Sequence, residues 1–192
     1  MSQFIKALHT DLLKYYNLKF RELGLRNPNF LFDGSRVSWN KYRPREEFTT
    51  YKEYYDWVLE NFQYSLMLSD DSVVQIYYEV NQATDREKLD KASLAFLPNP
   101  LTVDIDGVNY IRLDCDMDSH IDYFHTAYHI HFGYRSQMRV SLFQFPTPSQ
   151  FFNFIMNAAY NDFYSPQKTL KNCSILDLDS QGYKYQHYLN VT

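Results

Sequence analysis

Apolar residues near the start of the chain recur at three- and four-residue steps: Phe4, Ile5, Leu8, Leu12, Tyr15 and Tyr16 lie on one stripe, and Gly24 follows as a stop. This spacing predicts an amphipathic helix over residues 2–23. Between Phe30 and Trp39, Asp33-Gly34 separates two apolar stretches and predicts a short hairpin whose glycine supplies the positive φ of a tight turn. Thr50-Tyr51-Lys52-Glu53 then has the S/T-x-x-E form in which two side chains satisfy free helix-start amides. Tyr51, Tyr54, Tyr55, Val58, Leu59 and Phe62 mark one face of the helix it opens, over about 50–62.

After that helix the period falls to two. Tyr64, Leu66 and Leu68 alternate, Ser69-Asp70-Asp71-Ser72 turns, and Val74, Ile76, Tyr78 and Val80 alternate again, which predicts two antiparallel strands. Residues 81–91 are polar and read as a solvated loop, and Ser93 to Leu97 returns as a strand stopped by Pro98-Asn99-Pro100. Thr147-Pro148-Ser149-Gln150 supplies an N-cap, a proline at N1 and a Gln at N3, and predicts a last helix over 148–163. The tail from Ser165 is polar and Tyr-rich, extended or held by a partner.

Three segments in the second half carry one apolar and one polar row each. Tyr110, Arg112, Asp114 and Asp116 oppose Ile111, Leu113 and Cys115; His125, Ala127, His129 and His131 oppose Thr126, Tyr128, Ile130 and Phe132; Gln137, Arg139 and Ser141 oppose Met138, Val140 and Leu142. For their polar rows to coincide, residues of equal parity must pair across an odd-length turn near Gly133. A turn of Gly133 to Arg135 sets His129 opposite Arg139 and His131 opposite Gln137, whereas a shift of two residues sets His131 opposite Arg139. The predicted fold is one α+β domain over 1–192: a single antiparallel sheet of about five to seven strands, with N-terminal, middle and C-terminal helices packed on it and those from both ends of the chain covering its apolar face.

Composition narrows the functions. The 18 Tyr and 15 Phe against 5 Gly mean an aromatic-built core, with hydroxyls available to a wet edge or a partner. A net charge of −4 argues against broad electrostatic binding to nucleic acid, which Lys and Arg drive. Two cysteines without CxxC spacing suit a reduced interior, and no apolar run reaches the length of a membrane span, so a cytoplasmic location is expected, without membrane attachment.

Four of the six histidines fall within residues 120–132. Imidazole exchanges protons near neutral pH, and an arginine fork holds phosphate or developing negative charge. His125, His129 and Arg139 are therefore the candidate catalytic set for phosphodiester cleavage without a metal or other cofactor, with Arg112, Asp114, Asp116 and His131 as binding residues. The competing readings are a solvated salt-bridge face and a metal site at His129-Ile130-His131. Asp114, Asp116 and Asp118 imitate a calcium loop, but Ser119 replaces its glycine and His125 its bidentate Glu. Phosphate loops of the GxxxxGK type, GxGxxG, GxSxG and HExxH are absent.

Gln75-Ile76-Tyr77-Tyr78, the LAFLPNP segment from Leu94 to Pro100, Arg112 to Asp116, His125 through Gly133, Arg139, and Thr147-Pro148 with Phe151 to Ile155 occur in an order that resembles an uncharacterised bacterial domain-of-unknown-function family, over about residues 60–165. The family pattern has a proline where this chain has Val140 and no counterpart of His131, which moves weight to His125, His129, Arg139 and Arg112. A looser likeness of layout links the chain to small toxins of the TumE type. These resemblances imply a bacterial effector of toxin or phage-defence type, expected here to bind and cleave RNA or another phosphodiester. The alternative is a non-catalytic, Tyr-rich subunit of a larger defence or toxin complex, with a protein partner or a second copy of itself on its surface.

Overall fold

The structure is a computed structural model and describes residues 3–39, 47–81, 88–101, 107, 109–117, 127–135, 139–160, 174–177 and 184–187. Helix α1 (Gln3–Leu23) buries Phe4, Ile5, Leu8 and Leu12 and ends at Gly24, whose φ of +57° only glycine adopts at little cost. Strands β1 (Leu31–Phe32) and β2 (Arg36–Ser38) form the predicted hairpin, but Gly34 is not the residue that turns it. Its φ is not positive; the Asp33 carboxylate instead accepts from the backbone N–H groups of Ser35 and Arg36, each at 2.8 Å. A side chain that bonds its own backbone two residues on replaces the positive φ of a two-residue turn.

Helix α2 (Tyr51–Glu60) starts in the predicted capping box, with Thr50 and Glu53 bonding each other's backbone. Strands β3 (Leu66–Met67), β4 (Val73–Asn81), β5 (Lys88–Leu97), β6 (Ile111–Asp116), β7 (Tyr128–Phe132) and β8 (Arg139–Ser141) follow, then helix α3 (Pro148–Ala159) behind a second capping box of Thr147 and Gln150. Strands β9 (Ser174–Asp177) and β10 (Lys184–His187) make a separate antiparallel pair in the tail. Two boundaries differ from expectation. The polar stretch 81–91 is not all loop, because Lys88 to Lys91 extend β5 along β4 past an irregularity at Glu79/Val80. Helix α3 stops at Ala159 because Tyr160 leaves it, its hydroxyl donating to Asp70 Oδ2 at 2.7 Å.

Among the described residues the main sheet has eight strands, one more than the upper expectation, all antiparallel, in the order β1-β2-β4-β5-β6-β7-β8 with β3 also on β4. The first hairpin accounts for the excess: β2 pairs with β4 at Arg36↔Glu79 and Val37↔Tyr78, a long-range pairing that no local pattern announces. Helices α1 and α3 cover one face, where Ile76, Tyr78, Leu94, Phe96, Leu113 and Ile130 meet Ile5, Leu8, Phe151 and Phe152. Asp11 of α1 ties the two helices by accepting from the Ser149 backbone N–H and hydroxyl at 2.9 and 2.8 Å, one of the amides that opens α3.

Helix α2 does not join them. Its Tyr51, Tyr55 and Val58 pack on the opposite face with Val73, Ala95, Leu97 and Tyr110, so the helices from the two ends of the chain cover the apolar face, as expected, and the middle one packs on the other side. Gly107 lets this packing close: its φ is +69°, and a Cβ there would stand 2.6 Å from the Tyr51 ring and 2.9 Å from Tyr134 Cβ. Tyr54 stacks on Tyr134 with centroids 5.4 Å apart. The second face is thus half covered by a tyrosine cluster and half left polar.

Candidate functional site

Two side-chain rows cross the polar half of that face. Strand pairing sets Gln75, Ala95, Arg112, His131 and Arg139 opposite one another in sequence across β4 to β8, and Tyr77, Ser93, Asp114, His129 and Ser141 in the next row. Each residue lands there because the strands alternate sides, and equal parities pair throughout. The β7–β8 register is the one shifted by two residues: His131, not His129, faces Arg139, and Gln137 lies outside the described residues. Gly133 and Arg135 both have positive φ in the connection that follows β7.

Asp114 is the hub. Its Oδ1 accepts from the Ser93 hydroxyl at 3.0 Å and its Oδ2 from Arg112 Nε at 2.7 Å. The same Oδ2 lies 3.4 Å from His131 Nε2 and 3.8 Å from His129 Nε2. The two rings meet edge to face, with centroids 4.9 Å apart. Burial is graded: the His129 and His131 side chains are 8% and 7% exposed, Asp114 22% and Arg112 42%, so solvent reaches the carboxylate past the guanidinium while the rings are shut in. His131 Nε2 is buried without a hydrogen-bond partner among the described residues.

Electrostatics follow from that burial. Desolvation, helped by the positive charge of Arg112, pushes the His131 imidazole down to about 4, and the nearby Asp114 charge does not reverse this. His131 is therefore neutral at pH 7 and offers a lone pair on one ring nitrogen and an N–H on the other. Burial opposes the Arg112 charge, but Tyr110 and Asp114 more than offset it and hold the guanidinium above its ordinary value. The Tyr110 hydroxyl, buried, is pushed well up and shares hydrogen bonds with Arg112 and Tyr54. The α2 tyrosines and the Asp/His cluster are thereby one connected polar network through Arg112.

Of the residues singled out from sequence, Arg112, Asp114, His129 and His131 come together, and Arg139 stands across from His131, exposed at the sheet's edge strand. Asp116 sits one pleat beyond Asp114, opposite Lys91. His125 lies outside the described residues, as do His120 and Asp118. The resemblance moved weight away from His131, yet its ring is at the centre, against Asp114. Cys115 is buried on the helix-covered face, as its parity requires. Sequence reasoning missed Ser93 and Tyr54. Ser93 was detectable as the lone hydroxyl in an otherwise apolar strand, SLAFL, whereas Tyr54 depends on which face α2 covers.

Two segments of the chain, residues 26–109 and 105–187, match the model of a family described as an uncharacterized conserved protein (DUF2290). The match runs beyond residues 60–165 on both sides and takes in the first hairpin, α2 and the β9–β10 pair. No curated protein and no solved structure matches the chain.

Proposed function

The chain belongs to the conserved family DUF2290, whose description assigns no chemistry, and from its site we propose that it binds and cleaves RNA or another phosphodiester on the polar face of the sheet. The observation that carries this is the convergence of Asp114, His129 and His131 within one buried cluster, flanked by the guanidinium of Arg112 and, one strand on, Arg139. A fold gains little from the buried His131 ring in this set, whose Nε2 makes no hydrogen bond among the described residues. Imidazole and carboxylate groups can activate an attacking oxygen, and guanidiniums can neutralise the charge of a phosphoryl group, which supports the reading. In the reaction the attacking oxygen bonds to phosphorus as it gives up its proton to the cluster. The ester P–O bond breaks, and the leaving oxygen takes up a proton from the site or from water.

Relative to the sequence expectation, the reading moves from His125, His129 and Arg139 onto His129, His131, Asp114 and Arg112. A bacterial effector of toxin or phage-defence type is the setting such an activity suits, on likeness of layout alone. Among the described residues no helix is long and apolar enough to cross a membrane. The test is incubation of purified protein with total RNA and with single-stranded DNA, beside His129→Ala and Arg112→Gln variants checked for folding. Cleavage lost in both variants supports the reading; no cleavage of either substrate, or cleavage indifferent to both substitutions, overturns it.

A separate observation favours the docking alternative. Among the described residues no strand pairs with the outer edge of β8, and just past it Phe143 is fully exposed, with Val140 also exposed on the strand. An unpaired edge beside bare apolar side chains suits a partner strand.

A further inference from the structure

We infer that Asp114, His129 and His131 form a binding site for one divalent first-row transition ion of the zinc(II) type, with the carboxylate and both imidazoles as ligands and at least one position left open. The inference deepens the phosphodiester reading by naming the cofactor of that site; it rests on that reading for what the ion would do, and on geometry for the ion itself.

Spacing is the first argument. One donor atom from each residue lies within 4.8 Å of the others, and among the described residues this is the one such group of three. Donors bound about 2.1 Å from a common ion at a tetrahedral angle stand about 3.4 Å apart. The His131 and His129 Nε2 atoms are 3.4 and 3.8 Å from Asp114 Oδ2, too far for good hydrogen bonds and close to ligand spacing.

The second argument is independent: His131 Nε2 is buried, lies 3.4 Å from Asp114 Oδ2, and has no hydrogen-bond partner among the described residues. Leaving a buried ring nitrogen unpaired opposes folding, and an ion at the centre of the three donors removes that penalty. The third is the support around the ligands. Ser93 holds Oδ1 and Arg112 holds Oδ2, which fixes the carboxylate plane as outer partners of metal ligands do. Two imidazoles and one carboxylate are the donor set of catalytic rather than structural zinc sites, and it suits zinc or iron(II) better than magnesium or calcium. Asp114 is the solvent-facing ligand, so the open position lies on the side of Arg112, where an anionic substrate would enter.

The test uses the full chain, stripped with chelator, dialysed and titrated with Zn(II) and separately with Co(II). Calorimetry reads stoichiometry, Co(II) visible absorption reads coordination, and circular dichroism checks folding. One ion per chain is expected, with cobalt ligand-field bands. Asp114→Asn and His131→Ala should lose both signals, Ser93→Ala should weaken binding roughly 10- to 100-fold, and His9→Ala, remote on α1 against Phe32, should bind as wild type. Asp114→Asn preserves shape, so it carries the test if His131→Ala does not fold. A folded wild type that binds neither ion, or binding that Asp114→Asn and His131→Ala leave intact, overturns the site. No RNA enters these titrations, so the two claims fail separately. Ion binding without cleavage supports the site and sinks the phosphodiester reading, while cleavage by a protein that binds no ion does the reverse.

Discussion

Replacing His131 by leucine should make the ion-free protein more stable. The ring is 7% exposed and its Nε2 lacks a partner among the described residues; an unsatisfied buried polar atom costs roughly 1–3 kcal/mol. Leucine has a similar volume, buries apolar surface in its place, and leaves Asp114 with the bonds from Ser93 and Arg112. Against this stands the edge-to-face contact with His129 at 4.9 Å, worth roughly 0.5–1.5 kcal/mol. The balance is a gain of about 1–2 kcal/mol, which at a urea slope of about 2 kcal/mol per molar raises the midpoint by roughly 0.5–1 M. Urea unfolding followed by circular dichroism at pH 7.5 with chelator reads it. Adding zinc should reverse the order, since a ligand at a hundredfold its Kd stabilises the wild type by about 2.7 kcal/mol and has no site in the variant. A leucine variant less stable than wild type in chelator would refute the reasoning, because the imidazole would then be a satisfied structural group.

Other consequences are directly measurable. In the folded chain His131 titrates near 4, whereas an unfolded imidazole titrates near ~6.5; the unfolded state alone takes up a proton between those values. Stability should therefore fall as pH drops from about 6.5 to about 4, fully present above that window, and the leucine variant should lack this part of the slope; identical pH profiles of the urea midpoint would count against it. Gly107→Ala should cost about 2–4 kcal/mol, combining a φ of +69° with a Cβ 2.6 Å from the Tyr51 ring, and a midpoint change equivalent to less than about 0.5 kcal/mol would show that α2 adjusts freely. Thr147→Ala removes the oxygen that accepts from the Gln150 amide and should cost about 1 kcal/mol, read by the same unfolding assay. Phe143→Asp should abolish any concentration-dependent association seen by analytical ultracentrifugation if the β8 edge is the docking surface, and leave RNA cleavage unchanged.

Much of the fold could be read from local pattern because its causes are local. Both capping boxes, at Thr50 and Thr147, are satisfied within four residues, and they appear where the sequence puts them. The side-chain period of two is a property of the extended backbone, so the polar rows of β6, β7 and β8 and the inward direction of Cys115 followed from parity. Asp33-Gly34 marked a turn correctly while the mechanism differed, because an Asp carboxylate and a glycine φ solve the same geometric problem and leave the same dipeptide behind.

The site was legible as a face and not as a cluster. Sequence alone determined that His129 and His131 share one side with Arg112 and Asp114 on theirs, since a one-residue slip would bury charge against the α1–α3 core. A two-residue slip keeps every apolar residue inside, so parity could not choose between His129 and His131 as the partner of Arg139; pairing along the whole ladder made that choice. The adjacency of β6 to β7, which puts Asp114 beside two imidazoles, and the seat of α2 on the opposite face from α1 and α3 are likewise tertiary facts. They depend on contacts between residues far apart in the chain, where shape and area must match across the sheet, and a period measured along one strand carries no information about which strand lies next to it.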